Sequence, residues 1–82
     1  MATALLTVLC RQADQQENVT VMGVDALDAD SRRLFQTMTR DVLEPRVSTA
    51  GLVFGLPLGC ATRFAQTLAS VFSMRGIPVH VA

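Results

Sequence analysis

The chain has 82 residues, half of them hydrophobic, and its seven Arg are balanced by seven Asp and Glu to give no net charge. One small domain spanning 1–82 is expected, too short to hide most of its surface and therefore prone to association. Neutral charge removes the electrostatic reason for nucleic-acid binding, and the high apolar content excludes a disordered chain.

Tyr and Trp are absent, so platforms for stacking bases or sugars are scarce. Lys is also absent, and the Ala- and Val-rich composition suits a G+C-rich bacterial or phage genome. Cys10 and Cys60 form no CxxC pair and the chain holds a single His, so neither a zinc site nor a disulfide framework is expected. Reduced, buried thiols fit the cytoplasm. The apolar stretch from Met1 to Cys10 has no basic n-region and is not read as a signal peptide. Val47 to Thr62 is uncharged but carries Pro57 and three Gly, and it is shorter than the ~20 residues of a membrane span.

In chain order, Ala4 to Cys10 is nearly continuously apolar and reads as a strand buried on both faces. Arg11 to Asn18 reads as a polar loop, and Val19 to Val24 as a second strand returning antiparallel in a hairpin. Asp28 or Asp30 can cap a helix running to about Leu43, where Glu44-Pro45 stops it. Its inner stripe is expected at Leu34, Met38 and Val42 with Phe35 beside them, and Arg33, Thr37, Arg40 and Glu44 lie opposite. Leu52 to Leu56 reads as a buried third strand and Gly55 to Gly59 as a turn. Ala61 to Arg75 forms a second helix with Phe64, Leu68, Val71 and Phe72 inward and Gly76 as its stop, and Ile77 to Val81 is the last strand. The expected architecture is a small α/β domain of about four strands in the order ββαβαβ with two helices packed on the sheet. Each strand-helix-strand passage should bring the next strand back parallel.

Two resemblances follow from these residues. GLVFGLPLGCATRFAQTLASVFSMRGIPVHVA is similar in layout to the first strand, loop, helix and strand of sugar isomerase (SIS) domains, which implies a phosphosugar ligand, although their Gly-x-Gly-x-Ser loop is absent. LDADSRRLFQTMTRDVLE resembles the first helix of STAS domains and its entry. Their Asp-Ser-x-Gly phosphorylation signature is represented only by Val47 to Gly51. No functional residue is carried over from either family.

Four features could bear chemistry. The loop Gly55 to Arg63 leads into a helix, so Gly59, Cys60, Thr62 and Arg63 could hold a phosphate or carboxylate ligand, against the plainer role of a turn. Cys60 near a helix start and His80 on the last strand could pair only if the fold joins them, and no acid lies in that half to orient the imidazole; no catalytic residue is nominated. Asp25, Asp28 and Asp30 are more simply helix caps than a cation site. No serine lies in a GxSxG elbow. Neither metal nor cofactor is therefore expected. The favoured function is a non-catalytic interaction or regulatory module that forms a homo-oligomer or binds a protein partner, without nucleic acid or membrane. The alternative is a small phosphate- or anion-binding domain. The uncharged outer face of the second helix, Gln66, Thr67, Ser70 and Ser73, with the adjoining Val47 to Leu58 segment, is the expected contact surface.

Overall fold

The structure, a computed structural model, describes residues 4–40, 46–48 and 51–82. Strands β1 (Leu6–Ala13) and β2 (Gln16–Met22) are followed by helix α1 (Ala29–Arg40), strands β3 (Arg46–Ser48) and β4 (Gly51–Pro57), helix α2 (Ala61–Met74) and strand β5 (Val79–Val81). The expected small α/β architecture holds, with one strand more than foreseen. The sheet order is β3-β4-β2-β1-β5. Only β1 and β5 pair in parallel; β1 with β2, β2 with β4, and β3 with β4 are antiparallel.

The expected polar loop from Arg11 to Asn18 is instead mostly strand. Ala13 pairs with Gln16, leaving a two-residue turn in which Asp14 and Gln15 both have positive φ, 43° and 65°. That left-handed pair has the twist that continues both strands, which lets polar residues stay in the ladder. The parallel passage through α1 also needs correction. Strand β4 is antiparallel to its neighbour β2 because β3 comes first and turns back beside it. Through α2 the expected direction is kept, since β4 and β5 run the same way, but β2 and β1 lie between them.

Both helices pack on one face of the sheet. Leu6 and Val8 of β1, Val19 and Val21 of β2, and Phe54 and Leu56 of β4 are all at most 2% exposed on that face. Phe35 of α1 stacks obliquely on Phe54 and Phe72, with ring centres 6.2 and 6.3 Å away, and Phe64 meets Phe54 at 5.9 Å. The inner stripe of α1 is centred on Ser31, Phe35 and Thr39, with Leu34 and Met38 half-buried beside it. It is rotated from the expected stripe because Thr39 can be buried: its hydroxyl donates to the Phe35 carbonyl at 2.9 Å. In α2 the buried set is Ala61, Ala65, Leu68 and Phe72, whereas Phe64 and Val71 are half-buried. Gly76, at φ 78°, ends α2 as expected. The foreseen end of α1 at Leu43, with Val42 and the Glu44-Pro45 stop, lies outside the described residues.

Among the described residues the other face carries no helix. Register and alternation place Thr7, Leu9 and Arg11, then Asn18, Thr20 and Met22, then Val53 there, so the expectation that β1 is buried on both faces is overturned. Leu5, next in the same alternation, is 51% exposed. Periodicity of two assigns residues to faces but does not say which face is covered.

Candidate functional site

The two helix starts and the open sheet face are where unsatisfied or uncovered groups could meet a ligand or partner. At α1, Asp28 caps the helix: its Oδ1 accepts from the Ser31 amide at 3.1 Å. Hydrogen bonds from the Ser31 hydroxyl and amide, with Arg75 nearby, hold the Asp28 carboxyl below its ordinary value. A cleft of about 480 Å³ opens here between the start of α1 and the end of α2, lined by Ala4, Ala26, Asp28, Ser31, Arg75 and Ile77. Asp25 contributes its backbone carbonyl to Arg32 at 3.1 Å. Asp30 sits in the first turn of α1. Among the described residues no group of three potential metal ligands converges.

At α2 the local sequence supplies no carboxylate, and the N-cap residue Cys60 makes no side-chain capping bond. The cap comes from Glu17, 44 residues earlier, whose Oε2 accepts from the Ala61 amide at 2.7 Å. Strand β2 delivers it, since Glu17 lies opposite Leu56 at the end of β4 from which the chain turns into α2. Amides of Ala61, Gly59 and Cys60 hold the Glu17 carboxyl below its ordinary value, as expected at the positive end of a helix. The expected ligand positions Gly59, Cys60, Thr62 and Arg63 do surround a helix start, but its amides already face the chain's own anion. An added phosphate would have to displace it. Thr62 and Arg63 are exposed.

Both cysteines are free and half-buried at this end of the molecule. The Cys10 thiol donates to the Ala61 carbonyl at 3.9 Å, and burial together with the Glu17 charge pushes its pKa up. A thiol so placed stays protonated near neutrality and is a poor nucleophile. His80 is exposed opposite Thr7 on the open face, whereas Cys60 begins a helix packed on the other face. The sheet stands between them.

Gln66, Thr67, Ser70 and Ser73 all lie exposed on the outer side of α2, and the Thr67 hydroxyl donates back to the Arg63 carbonyl at 2.9 Å. The open sheet face is a second uncovered surface, which the sequence did not single out. Across β1, β2 and β4 it presents the row Leu9, Thr20 and Val53, flanked by Thr7 and Met22, all half-buried by their neighbours within the sheet. By register Arg11 lies on this face two residues along β1 from the row, and Arg46 of β3 stands opposite Val53 at its end. The signal that could have located this face was the alternation Leu5, Thr7, Leu9 beside Leu6, Val8, Cys10: two semi-apolar faces for one layer of helices.

No family model, curated protein or solved structure matches the chain, so neither the SIS nor the STAS resemblance gains support. None of the described helices is long and apolar enough to cross a membrane.

Proposed function

We propose that the chain is a non-catalytic protein-protein interaction module that assembles with itself in the reducing cytoplasm of a bacterial cell. The observation that carries this is the architecture of one layer of helices on one face of a sheet whose other face, among the described residues, leaves Leu9, Thr20 and Val53 of its central three strands without a helix over them. Apolar and β-branched residues standing on an uncovered sheet gain by being removed from water, at about 25 cal/mol per Å². A small domain has no second layer with which to do so, and a partner supplies one. Two free cysteines support the compartment.

Sedimentation velocity from low to high micromolar concentration tests the proposal. A mass that rises above that of one chain, with a melting temperature that rises alongside it, is expected. A single-chain mass throughout contradicts self-association.

The anion-binding alternative at Gly59, Cys60, Thr62 and Arg63 requires ligand to compete with the Glu17 carboxylate. Inorganic phosphate should accordingly leave the melting temperature where an equal ionic strength of chloride leaves it. Selective stabilisation by phosphate would reinstate that alternative.

A further inference from the structure

We propose that the open sheet face docks an acidic amphipathic helix of another protein, with its apolar stripe over Leu9, Thr20 and Val53 and its carboxylates toward Arg11, Arg46 and His80. The inference stands beside self-association and does not rest on it.

Charge comes first. Register puts Arg46 opposite Val53, Arg11 opposite Asn18 and His80 opposite Thr7, so basic residues of three different strands share this face. The described strands bring no acid to match them. Glu17 is their one carboxylate, and it lies on the helical side, where it caps α2. The whole chain is neutral, so this face is a local separation of charge. Complementary potential across an interface steers the partner and fixes its register, which makes an acidic surface the matching occupant. A second copy brings the same cations again, and an acidic partner therefore competes with it.

Placement then selects shape. Strands ~4.8 Å apart set Leu9, Thr20 and Val53 in a row ~10 Å wide, about the diameter of one helix with its side chains. Arg46 stands one strand outside that row on the β3 side. Arg11 lies ~7 Å from it along β1, and His80 lies one strand outside on the β5 side. A helix laid along β2 thus has basic residues on both flanks, as suits an apolar stripe bordered on each side by Asp or Glu. Such a helix also supplies the second covering layer that an α/β sheet ordinarily has. Arg is well fitted to the task because its guanidinium can bind a carboxylate through two parallel hydrogen bonds.

Nucleic acid and an anionic bilayer are the rival anions. The rings of Phe35, Phe54, Phe64 and Phe72, the chain's four aromatics, all pack together on the helical side, so none can stack a base on the open face. The row itself is half-buried between its neighbours, whereas insertion among lipid headgroups needs apolar side chains that project.

Calorimetric titration of the dilute chain with an amphipathic peptide of about 18 residues, Leu on one stripe and Glu on both borders, and with its counterpart carrying Gln for every Glu, tests the proposal. The Glu peptide should bind at least about tenfold more tightly than the Gln peptide, and Arg11→Glu and Arg46→Glu should each weaken it by at least about fivefold. Bound peptide should shift the amides of Leu9, Thr20 and Val53. Should Arg46→Glu lose its native circular dichroism, Arg11→Glu, at an exposed position, carries the test. Equal binding of the two peptides, binding of neither, or a folded Arg11→Glu protein that holds the Glu peptide like wild type would overturn the proposal. Binding confined to single-stranded DNA or to phosphatidylserine vesicles would overturn it in favour of those anions.

Discussion

Val53 and Phe54 are adjacent in β4 yet live on opposite faces of the sheet. Phe54 is 1% exposed between the rings of Phe35 and Phe64, while Val53 is only half-buried, with Thr20 opposite it in β2. The two side chains are comparably suited to a core. What separates them is connectivity: both helices return over the same side, and nothing among the described residues returns over the other. Burial here is decided by where the chain's connections pass, not by local polarity.

The sharpest way to break this contrast is to truncate the ring. Phe54→Ala should cost about 3–5 kcal/mol in chemical denaturation, enough to threaten folding of so small a domain, because the cavity lies between two helices that cannot close it. A loss below about 1 kcal/mol would mean that the packed face is not the core.

Next in size is the carboxylate that joins the hairpin to α2. Glu17→Gln keeps the shape and removes the charge facing the Gly59, Cys60 and Ala61 amides, so stability at neutral pH should fall. The folded Glu17 carboxyl titrates below its ordinary value, so its contribution is present above the ordinary glutamate range and is lost as pH falls through the folded value. The acid limb of a stability-against-pH curve should accordingly be shallower in Glu17→Gln than in wild type, with the remainder due partly to Asp28, which shifts in the same direction. Equal acid limbs in the two proteins would show that Glu17 is not a cap.

A smaller effect, of opposite sign, is expected at the hairpin tip that both faces share. Gln15 is a non-glycine residue at φ 65°, so Gln15→Gly should raise stability by about 0.5 kcal/mol, the relief of left-handed strain exceeding the added chain entropy. Destabilisation would indicate that the Gln15 side chain makes a contact that matters more than the strain. Smallest of all, Val53→Thr should change unfolding of the dilute chain by within about 0.5 kcal/mol, since that face is bare in a single copy. A loss matching that of Phe54→Ala would mean that the face is covered from within.

Local devices were legible in the sequence: Asp28 caps a helix whose third residue lies only three positions on, and Gly76 stops one. The hairpin was legible but not its tightness, because Asp14-Gln15 lacks the Asn-Gly or Asp-Gly signal of a two-residue turn. Strand β3 has three residues, too few for any alternation to register. The Glu17 cap was invisible since 44 residues separate carboxylate from amide, and only the pairing of β2 with β4 joins them. The open face was hidden by ambiguity: Leu5 and Leu9 are as apolar as Leu6 and Val8, so β1 read as buried on both sides.

The most direct test of the account follows backbone amide shifts by NMR as the wild-type protein is diluted from millimolar to low micromolar concentration. Self-association that covers the open sheet face, as proposed, predicts concentration-dependent shifts clustered at Thr7, Leu9, Thr20, Met22 and Val53, with Gln66, Thr67, Ser70 and Ser73 unmoved. Shifts gathered on the outer side of α2, or none anywhere, would contradict it.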